Sequence, residues 1–436
     1  MTYKVGILGL GTVGTGTAQI LSDPSGRHPL LTELDIAQVG VRSLDKPRAV
    51  DLPSSIFTTD LEAIVSNPDL DIIVELIGGV EPARSLILKA IAHGKHIVTA
   101  NKAVISRYGD EIFEAANAKG VYVMLEAAVG GGIPVIQPLK QALGVNRIKR
   151  VTGIVNGTTN YILTRMKAEG ADFTEVLADA QRLGYAEADP TADVDGLDAA
   201  DKIAILASLA FGGRIRLEDV HCEGIRHISS TEIDYAEKLG FTIKLLAIAQ
   251  EDIPENSNDG TPQKLSLKVH PTLLPKSHPL ASVDGVFNAI LVEGEPLGQV
   301  MFFGPGAGAG ATASAVVSDI LNIAAILKTE TEPIPHPLLS CTHQHFCAIA
   351  PMEDSVTRFY VRVKTQDSSG VIGQLGTCFG DHDVSLESIV QIGLSDELAE
   401  IVLVTHHVRE GDFRAALESI SKLAAVAEIP SVIRVW

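Results

Sequence analysis

Basic residues are scarce in this chain. Lysine and arginine total 35 against 54 aspartates and glutamates, a net charge of −19. Nucleic-acid binding rests on neutralising phosphates with a basic surface, so this balance argues against a nucleic-acid partner. It does not exclude small anionic ligands, which a few local residues can meet. Cysteine is rarer still. Cys222, Cys341, Cys347 and Cys378 are too few and too scattered over 436 residues for a disulfide scaffold. The segment Cys341-Thr-His343-Gln-His345-Phe-Cys347 lacks the paired C-x2-C or H-x3-H spacing of structural zinc sites. It reads more readily as a buried or interface segment with incidental thiols. No apolar run reaches the roughly 18 residues of a membrane-spanning helix, so no membrane partner is expected. The chain opens directly into a strand, without a charged-then-apolar leader, and a cytoplasmic location is the default.

What is present begins at the N-terminus. Lys4 to Leu8 reads as a short buried strand, and Gly9-Leu-Gly11-Thr12-Val13-Gly14 follows at once, then the helical run Thr17 to Leu21. This is G-x-G-x-x-G in the strand–turn–helix context that gives the motif its meaning. The first two glycines allow a tight turn and close approach to a pyrophosphate; the third lets helix and strand pack. The helix N-terminus offers free N–H groups to the anion. The next strand, Ala37 to Val41, ends in Arg42-Ser43. An NAD enzyme usually carries an acid there for the ribose 2′-hydroxyl. A guanidinium instead suits a 2′-phosphate, so NADP is expected over NAD.

The second strong signal is Gly184-Tyr185-Ala-Glu187-Ala-Asp189-Pro190, followed by Asp193, Asp195, Asp198 and Lys202. Carboxylates and one ammonium lead into a helix that soon turns wholly apolar, from Ile203 to Phe211. Asp198 and Lys202 are four apart and share a helical face. Lys202 also aligns with Ile205, Leu206 and Leu209, a face that should point inward. Unpaired buried charge is costly, so this pattern suggests a site. A solvated i,i+4 ion pair accounts for the spacing equally well.

Strand and helix signals alternate through residues 1–134, which predicts a Rossmann-type, doubly wound parallel sheet of the α/β class. Asp71 to Leu76 closes on Gly78-Gly79, His96 to Thr99 ends in Ala100-Asn101-Lys102, and Val121 to Leu125 ends in Glu126. Ligands bind off the carboxyl ends of such strands. Residues 135–330 form a second, α+β unit, with strands at Leu265–Val269, Phe287–Val292 and Val300–Phe303. Glu251 to Pro262 reads as an exposed loop. The glycine run Gly304 to Gly310 precedes a helix, Thr312 to Leu327, expected to start near a cofactor and pack back, over 304–327, on the first domain. Residues 331–354 read as a connector. Residues 355–436 then give strand, helix, strand, strand, helix and strand, the ferredoxin-like split unit.

At this point the chain resembles the homoserine dehydrogenase family, in its monofunctional form with a C-terminal ACT domain. The similarity runs over essentially the whole length. It rests on Ile7-Leu-Gly-Leu-Gly-Thr-Val-Gly14, Val98-Thr-Ala-Asn-Lys-Ala103, Glu126-Ala-Ala-Val-Gly-Gly-Gly-Ile-Pro134, Gly153-Ile-Val-Asn-Gly-Thr-Thr-Asn-Tyr161, Gly184 to Pro190 and Asp193 to Lys202. The resemblance implies NAD(P)-dependent interconversion of L-homoserine and L-aspartate 4-semialdehyde, in threonine, methionine and isoleucine biosynthesis.

It also implies roles for residues. Lys202 matches the proton donor to the aldehyde oxygen, where negative charge develops. Asp198 and Glu187 match carboxylates for the substrate ammonium, with Asp193 in support. Gly157, Thr158 and Tyr185 fall in substrate-lining motifs. Lys102, with Gly78, Thr99, Gly184 and Gly306, falls on the cofactor side. Lys102 serves either as an electrostatic contact or as a second acid. Glu126, Val129, Gly131 and Ile133 correspond to a monovalent-cation site, for sodium, held largely by main-chain carbonyls. A plain strand-to-helix turn explains Gly130-Gly-Gly132 about as well. The loop Asp367-Ser-Ser-Gly370-Val371-Ile372 resembles an ACT ligand loop, with Ser369 where proline is commoner. ACT domains usually pair, and threonine is the natural effector; a fold that only dimerises is the alternative. A homo-oligomer, dimer or tetramer, is expected. Two competing functions are a related dehydrogenase of another small amino or hydroxy acid and a non-enzymatic NADP-binding amino-acid sensor. The sensor has no use for Glu187, Asp198 and Lys202.

Overall fold

Buried apolar runs bounded by glycine turns set the first layer. The structure is a computed structural model that describes residues 2–252, 264–329, 336–341, 343, 345–395 and 398–436. Most of the predicted loop after Glu251 (residues 253–262) and part of the connector (331–335, 342 and 344) lie outside the described residues. The chain divides into two compact units. One comprises Met1–Val151, Asp201–Glu218 and Phe287–Cys347; the other comprises Thr152–Ala200, Asp219–Val286 and Ala348–Trp436.

The first unit holds a parallel sheet of six strands: β1 (Tyr3–Leu8), β2 (Leu34–Gly40), β3 (Phe57–Thr58), β4 (Ile72–Glu75), β5 (His96–Thr99) and β6 (Val123–Met124). Their order is β3-β2-β1-β4-β5-β6, the doubly wound arrangement. Val5, Ile7, Ile72, Ile73 and Val74 are fully buried, as expected of strands covered on both faces. Helices α1 (Thr12–Ser22), α2 (Leu61–Ser66), α3 (Ala83–Ala92) and α4 (Lys102–Lys119) connect the strands. The helix Ala309–Thr329 packs on α1 so closely that a Cβ on Gly16 would lie 2.7 Å from the Ala309 carbonyl oxygen. By length and composition this helix could cross a membrane. Its apolar face is instead spent on the sheet: Val316, Ile320, Ile323 and Ala324 are fully buried in one cluster with Val5, Ile7 and Val39.

The second unit is built on a long antiparallel pair, Phe241–Asp252 and Lys264–Pro275. The first of these has no clean period in sequence because Leu245 to Ala249 is buried on both faces, so nothing marked it as a strand. The other strands of the ferredoxin-like part follow in the order Val426–Val435, Val356–Gln366, Leu398–Thr405, Leu386–Ser395. Helices Val371–Gly380 and Glu410–Ser421 cover that sheet. Its core is Phe359, Val361, Leu375, Phe379, Leu403 and Phe413, with the Phe359 and Phe413 rings stacked at 3.7 Å. Strand Val426–Val435 also pairs in parallel with Lys264–Pro275, through Thr272 with Arg434 and Leu273 with Val435.

Candidate active site

Each glycine of the N-terminal motif has a separate steric reason. Gly9 has φ of +99°, and a Cβ there would meet the Leu76 carbonyl oxygen at 2.9 Å. At Gly14 a Cβ would sit 2.1 Å from the Gly9 carbonyl oxygen, so the third glycine closes the turn onto the helix. Gly11 faces open space, with nothing within 4 Å. That is where a phosphate would approach, at the N-terminus of a helix whose first turn, with Thr12 and Val13, has no side-chain cap. Arg42 follows β2, is exposed, and makes no hydrogen bond or ion pair with described residues. A second guanidinium, Arg48, was not anticipated. It bonds main-chain oxygens of Ser43, Leu44 and Lys46 and lies 4.4 Å over the Phe57 ring, which folds the loop after Arg42.

The ends of β4 and β5 are tied by Glu75, a fully buried acid that sequence reading passed over. Its Oε1 accepts the N–H of Ile77 at 2.9 Å and of Gly78 at 3.3 Å, and its Oε2 accepts the Thr99 hydroxyl at 2.7 Å. The Thr99 side chain is therefore turned inward. Gly78 and Gly79 both take φ of +73°. Asn101 caps α4 by accepting from Val104 N–H and donates to the Gly79 carbonyl oxygen at 2.7 Å, which sets Lys102 as the first helical residue. On the helix Leu197–Phe211, Asp201 accepts from Ser106 Oγ at 2.7 Å and from Arg107 Nη1 at 2.8 Å. Half-buried Lys202 adjoins that lock, and Lys102 lies one turn before Ser106 on α4. Asp201 was hidden among its acidic neighbours in sequence.

Glu126 opens the turn that runs to Ile133. Its carboxylate accepts three main-chain N–H groups: Oε1 accepts from Val135 N–H at 2.6 Å and Ile136 N–H at 2.8 Å, and Oε2 from Gln137 N–H at 2.8 Å. The side chain thus caps the helix Ile136–Lys140. Gly130 and Gly131 have φ of +76° and +56°, and Gly131 is pressed against Gly306 so that a Cβ would come 2.3 Å from the Gly306 carbonyl oxygen. Fully buried Asp319 accepts the Glu126 N–H at 2.7 Å. Burial, then the Glu126 carboxylate, pushes its carboxyl up to about 8. Its Oδ1 is buried and meets no donor in good hydrogen-bond geometry among the described residues, an atom that a proton or a cation would satisfy. Hard oxygens in this turn fit a monovalent cation.

In the second unit the acids sort themselves. Asn156 Nδ2 donates to Asp193 Oδ1 at 2.7 Å and to Asp198 Oδ2 at 2.8 Å. Asp195 is drawn away by Arg226, which donates to its Oδ2 at 3.2 Å. Asp189 turns back on the N–H of Thr191. Gly157 is the first residue of the helix Gly157–Glu169, and the Thr158 hydroxyl donates to the Tyr185 carbonyl oxygen at 2.6 Å. The Tyr185 ring is half exposed and meets Tyr161 at 4.9 Å. Gly184 has φ of +78°, and Glu187 beyond it is exposed. Farther along, Asp367 lies in an exposed loop, Gly370 has φ of +92° at the start of a helix with no side-chain cap, Val371 is buried and Ile372 is exposed.

A cavity of 750 Å³ in the first unit, lined among others by Tyr108, Phe113, Arg214, His343 and Phe346, includes none of the sequence-assigned residues. Among the described residues no group of three His, Cys, Asp or Glu side chains could hold a metal. Cys341 and His343 belong to that cavity wall, with Sγ and Nδ1 3.5 Å apart.

Comparison with known proteins matches three stretches of the chain. Residues 134–321 match the model of the homoserine dehydrogenase family, residues 9–126 that of the homoserine dehydrogenase NAD-binding domain, and residues 359–425 that of the ACT domain. A homoserine dehydrogenase from Synechocystis is 68% identical over 100% of both chains, and one from Bacillus subtilis is 41% identical over 99% of this chain and 98% of its own. The crystal structure of a homoserine dehydrogenase from Thiobacillus denitrificans aligns with a TM-score of 0.91 at 42% identity, covering 100% of this chain and 98% of that one. A hyperthermophilic archaeal homoserine dehydrogenase in complex with NADPH aligns with a TM-score of 0.61 at 28% identity, over 76% of this chain and 99% of that one.

Proposed function

Because the chain belongs to the homoserine dehydrogenase family of oxidoreductases, we propose that it interconverts L-homoserine and L-aspartate 4-semialdehyde with NADP(H) preferred to NAD(H). The observation that carries the substrate reading is the meeting of Asp193 and Asp198 at one amide, a turn before half-buried Lys202 on the same helix. Two carboxylates suit the α-ammonium that both substrates carry, and an ammonium suits an oxygen gaining negative charge. The cofactor, with its pyrophosphate at Gly9–Gly14, would supply the hydride from its nicotinamide. Lys202 gives its proton to the aldehyde oxygen, and water returns one to Lys202. Asp193, Asp198 and Glu187 hold the substrate ammonium, and the Thr158 hydroxyl holds the Tyr185 main chain. Lys102, at the first position of α4, stabilises the cofactor electrostatically. Arg42 supports the NADP preference, as does the NADPH in the archaeal relative's complex.

Main-chain oxygens of Glu126, Val129, Gly131 and Ile133 would hold a sodium ion with a structural role. Residues 135–330 would bind substrate and dimerise, and residues 355–436 would regulate, with threonine at Asp367–Ile372. Oxidation of NADPH followed spectrophotometrically with L-aspartate 4-semialdehyde tests the reading. The expected result is rapid oxidation, and a loss of about 10²- to 10⁴-fold in turnover for Lys202→Ala with cofactor binding retained. Binding of NADPH without turnover of the semialdehyde would support the sensor. Turnover confined to another small aldehyde would support the related dehydrogenase. Near-normal turnover in folded Lys202→Ala would move the proton-donor role to Lys102 or water.

A further inference from the structure

We propose that Asn156 is a positioning residue for the substrate-ammonium site, clamping Asp193 and Asp198 into one double carboxylate; this rests on the function proposed above. Both ends of its side chain are committed. Oδ1 accepts from Thr159 N–H at 2.8 Å and from the Thr159 hydroxyl at 3.0 Å, as the N-cap of the helix Gly157–Glu169. That fixes which end of the amide is oxygen. Nδ2 must then face the other way, and its two hydrogens are met by Asp193 Oδ1 at 2.7 Å and Asp198 Oδ2 at 2.8 Å. Asn156 is buried, with 5% of its surface exposed, and Asp198 is 8% exposed.

The physical consequence follows from charge. Two carboxylates brought together repel, and one of them tends to take a proton. An NH2 group between them gives each carboxylate one hydrogen and adds no charge of its own. A lysine in that place would cancel one of the two charges and occupy the position that a substrate ammonium is to take. A carboxamide leaves the net charge of the pair intact for an incoming cation. The two acids sit on separate segments, Asp193 on the short helix Thr191–Val194 and Asp198 at the start of Leu197–Phe211, with Gly196 at φ of +83° between them. Asn156 therefore also fixes the bend between those segments from the side of a third.

The cap and the clamp are separable. Serine caps helices as well as asparagine does, but it cannot reach two carboxylates with two N–H groups. Aspartate keeps the size and the capping oxygen and replaces the donor with a third acceptor. In steady-state assays of the full-length enzyme, Asn156→Ser should raise KM for L-homoserine about tenfold or more, the loss expected for hydrogen bonds to charged groups. The KM for NADP should stay within about twofold, and the variant should remain folded, its cap kept by serine. Asn156→Asp should raise the homoserine KM further. Substrate KM values near wild type in both folded variants would overturn the clamp. Equal loss in substrate and cofactor KM, or failure of both variants to fold, would make Asn156 a structural residue only and overturn it too. Wild-type protein assayed alongside separates the two readings: if it does not turn over homoserine, the proposed function fails, whereas an active wild type with indifferent variants refutes the clamp alone.

Discussion

Glu75 shows how much one buried side chain decides at the residue scale. Its carboxylate holds Ile77, Gly78 and Thr99 together at the ends of two strands. Removing it strands those donors in a place without water, so Glu75→Ala should cost about 2–3 kcal/mol in chemical unfolding. Burial keeps the carboxyl above its ordinary value of 4.5 despite those donors. The folded state then retains a proton that the unfolded chain has released, so its contribution is present at acid pH and is lost as pH rises above that value. Glu75→Gln keeps an acceptor and removes the ionisation. Its melting temperature should match the wild type in mild acid and exceed it in mild alkali; a parallel pair of profiles would sink this account. Arg42 works by the opposite means, standing exposed and uncommitted at the end of β2. Arg42→Ala should raise KM for NADPH about ten- to hundredfold, as for a lost charged contact, and leave that for NADH almost unchanged. Equal effects on both cofactors would remove Arg42 from the phosphate site.

Among the elements, the last strand has consequences beyond its own sheet. Val426–Val435 carries Arg434, only 3% exposed, into a cluster with Glu223 and Glu410. Its Nη1 and Nη2 donate to the two Glu223 oxygens, each at 2.9 Å, and its Nε to Glu410 Oε2 at 2.9 Å. Burial pushes both carboxyls up, yet His221 and Arg434 hold Glu223, and Arg434 and Arg414 hold Glu410, below the ordinary range. Lowered carboxyls contribute stability above their unfolded value of 4.5 and lose it as pH falls through the folded values. His270, fully buried beside the cluster, is held well below its ordinary 6.5 by burial, then by Arg434. The unfolded chain takes up that proton and the folded state does not, so stability already falls as pH drops below 6.5. Compared with His270→Gln, the wild type should therefore lose melting temperature as pH drops below 6.5, whereas the loss through the Arg434 cluster sets in below 4.5. Parallel wild-type and His270→Gln profiles between 6.5 and 4.5 would exclude the His270 stage.

On the scale of the whole molecule, the ferredoxin-like part belongs to the same compact unit as Asp193 and Asp198. The segment around Glu223 touches both. Glu223 binds Arg434, Ile225 N–H donates to the Val194 carbonyl oxygen at 2.8 Å, and Cys222 Sγ donates to that of Asp195 at 3.2 Å. A threonine effector must bind one conformational state better than another, because equal affinity shifts nothing. Were threonine the effector, this segment would offer such a preference a contact path to the acids. Cutting the chain near Glu353 would strip a neighbour from strand Lys264–Pro275 and the guanidinium from Glu223, so truncation would confound any change in the proposed regulation with loss of stability. Point changes separate them. Threonine should inhibit the wild type, and Asp367→Ala should move the inhibition curve about tenfold or more to higher threonine. An unmoved curve would place the effector site elsewhere; a wild type that ignores threonine would leave the domain another ligand or an assembly role.

Local rules made much of this chain legible without coordinates. A glycine turn between a strand and a helix is largely a local matter of backbone, which is why Gly14 closes onto Gly9 as their spacing implies, although Gly9 is also hemmed in by Leu76 at the end of the neighbouring strand. The strand and helix order of residues 355–436 is likewise periodic and short-range. The i,i+4 relation of Asp198 and Lys202 needs only that their segment be helical, as it is. Partners chosen across the fold were not legible. Spacing could not say that Asp193 and Asp198 turn to Asn156 while Asp195 turns to Arg226, because those residues stand some thirty to forty positions apart. Nor could it pair Glu75 with Thr99, Asp201 with Arg107, or Glu126 with Asp319. Hydrogen bonds and ion pairs are short and directional, so packing alone settles which distant groups come within reach of one another.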